Sequence, residues 1–168
     1  MIDTTIDMTQ NTEIWQLLDQ VTDPEVPVLT ILDLGVVRAV NKTANQLEIV
    51  ITPTYSGCPA MDMIEVGIRA ILQENGYENV KIKLVLSPAW TTDWISENGR
   101  KKLKEYGIAP PEGNVVDKSV LFAEDKKIEC PRCGSRHTEM KSQFGSTACK
   151  SLYQCLDCKE PFDYFKCH

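Results

Sequence analysis

Residues 130–160, CPRCGSRHTEMKSQFGSTACKSLYQCLDCKE, carry two C-x2-C pairs separated by 21 residues. Two thiolates spaced by two residues grip one edge of a tetrahedron from a tight turn, and a second such turn completes a closed four-sulfur site. Gly134 frees the backbone just beyond the first pair. A module of about forty residues buries too little apolar surface to fold unaided, so the metal supplies the missing stability. From residue 128 onward the sequence therefore predicts a four-cysteine zinc ribbon with Cys130, Cys133, Cys155 and Cys158 as ligands. Zinc is the expected ion, although iron accepts the same four thiolates. A closed site leaves no open coordination position, so its role is structural.

Four further metal-capable residues crowd the same region: Cys149, Cys167, His137 and His168. The two cysteines read as small buried hydrophobes and the histidines as surface imidazoles. Cys149 is the substitute ligand should one of the four be misassigned. The aromatic tail supplies Phe162, Tyr164 and Phe165 to pack the ribbon or a partner.

Outward from the ribbon, the 168-residue chain has an ordinary globular composition, with 42% hydrophobic and 25% charged residues. No apolar run approaches the roughly 20 residues that span a bilayer. The first ten residues, MIDTTIDMTQ, lack the basic and apolar regions of an export signal, so a cytoplasmic location is expected. In such a reducing compartment seven cysteines argue for metal or redox chemistry rather than disulfides. Residues 1–125 hold 10 Lys+Arg against 19 Asp+Glu, whereas 126–168 hold 8 against 5. An acidic body disfavours nucleic acid as a partner, because phosphate contacts need a basic face.

The N-terminal 108 residues read as a small α+β domain of order α-β-β-α-β-α. Ile14, Leu17, Leu18 and Val21 share a helical face over 13–21, with Thr12 as cap, and DPEVP (23–27) ends that helix. LGVVRAV (34–40) and LEIVITP (47–53) read as a hairpin around NKTANQ. Met61, Ile64, Ile68, Ile71 and Leu72 mark a second helix that stops at Gly76, and VKIKLVL (80–86) a third strand. Thr92 or Asp93 is the expected cap of a last helix closed by Gly107. APPEGN begins a linker spanning 109–127, and VVDKSVLFAEDKK (115–127) is either strand or stalk.

One cysteine stands apart from the ribbon. Cys58 precedes Pro59, and proline favours the first position of a helix, which makes Cys58 the expected N-cap of the second helix. A sulfur there lies near unpaired backbone amides that favour thiolate. Such a thiolate binds metal transiently, carries sulfane sulfur, or holds one edge of an iron–sulfur cluster; the alternative is an inert, partly buried cysteine. Asp23, Glu25 and Asp33 are the nearest acidic candidates, and Asp23 and Asp33 also read as turn formers beside Pro24 and Gly35. The first 108 residues contain no histidine, no serine–histidine–aspartate set and no phosphate-binding glycine loop. Nor does the chain carry a histidine–carboxylate set suited to oxygen activation, so catalysis by this chain alone is not expected.

The runs DPEVPVLTILDLGVV (23–37), TPTYSGCP (52–59) and PAWTTDWISENGRKKLKEYGI (88–108) resemble the SufT-like domain of iron–sulfur cluster assembly factors. With the added ribbon, roughly residues 13–168 resemble the PaaD family, accessory proteins of the bacterial phenylacetyl-CoA epoxidase system. The motif matches at Asp23, Pro24, Glu25, Asp33, Gly35, Thr54, Cys58 and Pro59. The resemblance implies a role in maturing the iron–sulfur cluster of the reductase subunit. Cys58 would then be the transfer ligand, with Asp23, Glu25, Asp33 and Thr54 around it. One thiol cannot hold a cluster alone, so a second copy of the chain, glutathione or a client cysteine would complete the set. A stoichiometric structural subunit of the epoxidase, with no metal delivery, is the alternative.

Overall fold

The computed structural model describes residues 11–112 and 127–166. Most of the linker expected at 109–127, the strand-or-stalk segment apart from Lys127, and both Cys167 and His168 lie outside the described residues. The chain divides into two compact units, Met1–Trp90 and Thr91–His168. No helix among the described residues is long and apolar enough to cross a membrane.

In the first unit, α1 (Thr12–Leu18) leads through an irregular segment to a hairpin of β1 (Val37–Lys42) and β2 (Leu47–Ile51). Helix α2 (Ala60–Glu74) crosses over to β3 (Val80–Leu84), which pairs parallel to β2 and gives the sheet order β1-β2-β3. Alternation along β2 buries Leu47, Ile49 and Ile51, as a sheet covered on one face requires. Ile64, Ile68 and Leu72 recur at helical spacing on α2 and are fully buried, joined by Ile14 and Leu18 of α1. These residues form the core that the periodicity predicts.

The first helix differs from its sequence reading in two ways. Asn11, in the left-handed conformation, occupies the cap position, and Thr12 is already helical. The helix also stops at Leu18; Val21 is buried nevertheless, on the loop that follows, while Trp15 takes the core position expected of Leu17.

In the second unit a 3₁₀ turn, Thr92–Trp94, precedes α3 (Glu97–Tyr106). Neither Thr92 nor Asp93 caps the helix. Ser96 does, its Oγ accepting the Gly99 N–H at 2.9 Å, because the 3₁₀ turn consumes the two earlier candidates. Gly107, at φ 89°, ends α3 as expected. The chain then adds a two-residue strand, β4 (Ile108–Ala109), parallel to β7 (Pro161–Phe165). With β5 (Thr138–Ser142) and β6 (Lys150–Cys155) the sheet order is β4-β7-β6-β5. Tyr153 stacks on Phe162 and meets Tyr164 edge-on, at 5.8 and 5.9 Å between ring centroids. The aromatic tail thus packs the ribbon itself, around Ala109, Ile128, Cys130 and Cys155.

Candidate metal centre and thiol loop

The two C-x2-C turns of the second unit are built alike. The Cys130 N–H donates to the Ser135 carbonyl at 2.9 Å, and the Cys155 N–H to the Glu160 carbonyl at 3.0 Å. The residue after each second cysteine is left-handed: Gly134 at φ 75° and Lys159 at φ 66°. Glycine takes that conformation without steric cost, whereas lysine adopts it only where the surrounding turn demands it. The two turns therefore present their sulfurs in matching fashion.

All four sulfurs, of Cys130, Cys133, Cys155 and Cys158, lie within 4.8 Å of one another. Across the turns Cys130 and Cys158 approach to 3.8 Å, and Cys133 and Cys155 to 3.5 Å. A tetrahedron with metal–sulfur bonds of about 2.3 Å has edges of about 3.8 Å, so the donor set fits a zinc-sized ion. Backbone N–H groups of Cys158 and Asp157 bring the Cys155 thiol down to about 7, against the opposing effect of burial. Cys133 is pushed up to about 12: the Ser135 backbone N–H favours its thiolate, but burial and the neighbouring sulfurs, led by Cys155, outweigh it. Four crowded sulfurs resist ionising together, and a divalent cation at their centre reverses that balance.

Cys149 is buried outside this group, with Sγ 3.1 Å from Thr147 Oγ1. His137 is exposed and its Nδ1 lies 2.9 Å from Asp157 Oδ1. Neither joins the four sulfurs. The Asp157 carboxyl also accepts the Ser135 hydroxyl, and these two partners, Ser135 first, hold it below its ordinary value. Nothing in the spacing of the cysteines flags Ser135, Asp157 or the left-handed Lys159, since all three depend on how the two turns face each other.

The loop that carries Cys58 is built differently. Three stretches distant in sequence converge on backbone carbonyls of the first unit: the Thr52 N–H donates to the Val36 carbonyl at 2.9 Å, and the Trp90 indole N–H to the Leu34 carbonyl at 2.7 Å. The Val85 N–H donates to the Ile51 carbonyl at 2.9 Å. Within the loop Gly57 is left-handed at φ 78°, and a side chain there would meet open space. Pro59, with helical backbone angles, holds the cap position of α2, one place after the position expected for Cys58. The Cys58 carbonyl accepts the Met61 N–H at 3.2 Å, and the half-buried Cys58 sulfur has Thr54 Oγ1 as a neighbour at 3.8 Å.

The acidic candidates serve their own loop. The buried Asp23 carboxylate accepts the N–H groups of Glu25 and Val26 at 2.8 and 2.7 Å. The buried Asp33 accepts the Thr30 N–H at 3.2 Å, while its own N–H donates to Thr30 Oγ1 at 3.0 Å. Among the described residues, Cys58 joins no group of three or more potential metal ligands. The structure thus brings Thr54 to Cys58, and gives Asp23 and Asp33 a loop-shaping task.

Residues 11–84 match the family described as iron–sulfur cluster assembly protein, and residues 115–166 the family described as PaaD zinc beta ribbon domain. The chain is 52% identical over 155 residues to a protein of Escherichia coli (strain K12) that is named as one subunit of a "Putative 1,2-phenylacetyl-CoA epoxidase", covering 92% of each. It is 34% identical over 93 residues to the "Fe-S protein maturation auxiliary factor" of Porphyromonas gingivalis, covering 54% of this chain and 88% of that one. Among solved structures, a domain of unknown function (DUF59) from Bacillus anthracis superimposes with a TM-score of 0.52 at 26% identity, covering 55% of this chain and 89% of that one.

Proposed function

The chain belongs to the PaaD family of phenylacetyl-CoA epoxidase components, and from that membership we propose that it is an accessory component of that epoxidase system which matures the iron–sulfur cluster of the reductase subunit. The observation that carries the reading is the Cys58 loop. It lies inside the segment matched by the iron–sulfur cluster assembly family, and it offers a half-buried thiol between exposed Gly57 and Pro59. In this reading Cys58 is the transfer ligand and the cluster is cargo. Thr54 orients the sulfur, while Asp23 and Asp33 shape the separate 23–33 loop that also carries Glu25. The other cluster ligands come from a second copy of the chain, glutathione or the client's own cysteines, which replace Cys58 as the cluster moves on. The four-cysteine ribbon holds zinc, rather than iron, as a structural ion and docks the client.

The test is the reductase subunit purified anaerobically from three strains: with this protein, without it, and with Cys58→Ala. Iron and sulfide per flavin are measured in each. Depletion in both altered strains supports maturation through Cys58. Depletion only in the deletion strain removes Cys58 from the mechanism, and equal loading in all three removes maturation altogether.

The name of the Escherichia coli relative, as part of an epoxidase, favours a second reading. A stoichiometric structural component would copurify at fixed ratio with the oxygenase subunits and leave client loading unchanged; failure to copurify would sink it.

A further inference from the structure

Metal-site turns of this kind are held together by the ion, but the second unit also ties its two turns by side chains. Asp157 lies between the ligands Cys155 and Cys158 of the second turn. Its carboxylate reaches across to the first turn with both oxygens: Oδ2 accepts the Ser135 hydroxyl, and Oδ1 lies 2.9 Å from His137 Nδ1. A carboxylate only accepts, so the His137 ring carries its proton on Nδ1. The His137 N–H donates in turn to Ser135 Oγ at 3.0 Å, and the Leu156 N–H to the His137 carbonyl at 2.8 Å. Ser135, His137, Leu156 and Asp157 thus form a closed set of contacts joining the two turns that carry the four cysteines.

From this geometry we propose that Ser135, His137 and Asp157 form a latch, a set of positioning residues that fixes the two cysteine turns against each other and slows release of the metal ion. The physical route runs through the backbone. Holding the Asp157 side chain fixes the backbone between Cys155 and Cys158 against Ser135 and His137 of the first turn. Groups that orient metal ligands in this way commonly alter metal affinity by about ten- to a hundred-fold when removed. Exposed contacts of this type contribute little by themselves. Their effect comes from pre-positioning two turns that lie 21 residues apart in the chain. The trio is not a hydrolytic triad, because the Ser135 hydroxyl donates to the aspartate rather than to the imidazole.

The latch rests on the reading that the four cysteines hold a metal ion, and the experiment separates the two. Full-length chain is loaded with zinc, and zinc transfer to a chromogenic chelator is followed for the native chain, Asp157→Ala, Ser135→Ala, Ser135→Thr and the Asp157→Ala/Ser135→Ala pair. Release from Asp157→Ala and Ser135→Ala should be about ten-fold faster or more. Ser135→Thr, which keeps the hydroxyl, should stay near native, and the double variant should release no faster than Asp157→Ala alone. The ligand-field bands of cobalt-loaded protein should shift in the same order. Single-variant rates within about two-fold of native, or a multiplicative double variant, would overturn the latch. Ser135→Ala removes only a surface hydroxyl, so it decides the matter even if Asp157→Ala does not fold. A native chain that binds less than one zinc would overturn the metal reading, and the latch with it.

Discussion

The ribbon and the Cys58 loop both present thiols, and they are assembled by opposite means. In the ribbon, four ligands sit within 29 residues of sequence, in two turns built alike, and the core around them is one small group of aromatics and aliphatics. The Cys58 loop has one thiol and no ligand group among the described residues, but it hangs from a core of fully buried aliphatic side chains. The chain leading into it is tied by hydrogen bonds that join residues 34–36, 51–52 and 85–90. A site that holds an ion permanently builds its own cage and depends on the ion for its fold. The transfer role proposed for Cys58 calls instead for a scaffold that is stable without the cargo, and for fewer ligands than the cargo needs.

The sharpest way to break this comparison is to take one buried sulfur from the ribbon. Cys155→Ala should abolish zinc binding, and with it the apparent folding contribution of about 10–16 kcal/mol that structural zinc makes in small modules. Hydrogen exchange should show β5, β6 and β7 unprotected while β1, β2 and β3 keep their protection. Treating the native protein with a strong chelator should reproduce the pattern, and adding zinc back should reverse it. Retained protection in β6 after zinc loss would mean that the aromatic core alone sustains the ribbon.

How much of this was legible in the sequence follows from the range of the interactions. The four-sulfur site was legible because C-x2-C geometry is local and the two turns repeat it. Helices and strands of the first unit were legible because Ile64, Ile68 and Leu72, or Leu47, Ile49 and Ile51, fall at the spacing of one face. Caps were not: Thr92, Asp93 and Ser96 all offer an oxygen within five residues, and only the 3₁₀ turn decides for Ser96. Strand β4 was invisible, since two residues have no period and their partners Asp163 and Tyr164 lie over fifty positions away. For Asp23 and Asp33, composition offered both a turn and a ligand, and only the fold shows the N–H groups that their carboxylates accept within the turn.

A smaller effect is expected from Ile68→Ala in the core of the first unit. Ile68 is fully buried on α2, and truncating such a side chain typically costs about 2–5 kcal/mol. Denaturant unfolding should register that loss in the first unit with zinc content unchanged. Zinc lost together with the first unit would show that the two sites do not fold independently.

Asp23→Ala comes next. It leaves the N–H groups of Glu25 and Val26 without their acceptor, which costs about 1–3 kcal/mol for groups that are not rehydrated. Asp23→Asn keeps an acceptor oxygen and should recover most of the loss. Were charge at Asp23 needed for metal rather than for the turn, Asn would be as damaging as Ala in client loading while remaining stable, a clear separation of the two roles.

The smallest effect on the fold should come from the thiol proposed to carry the function. Cys58 is half-buried, and its polar neighbour is a hydroxyl at the long distance of 3.8 Å. Cys58→Ala should therefore change unfolding free energy by less than about 1 kcal/mol, and leave zinc at one per chain. Removing one cysteine from the ribbon dismantles a unit, whereas removing Cys58 should leave both units intact and affect only the client. A stability loss in Cys58→Ala as large as that of Ile68→Ala would make this sulfur part of the core, and the loop would lose its standing as a place where cargo is held lightly.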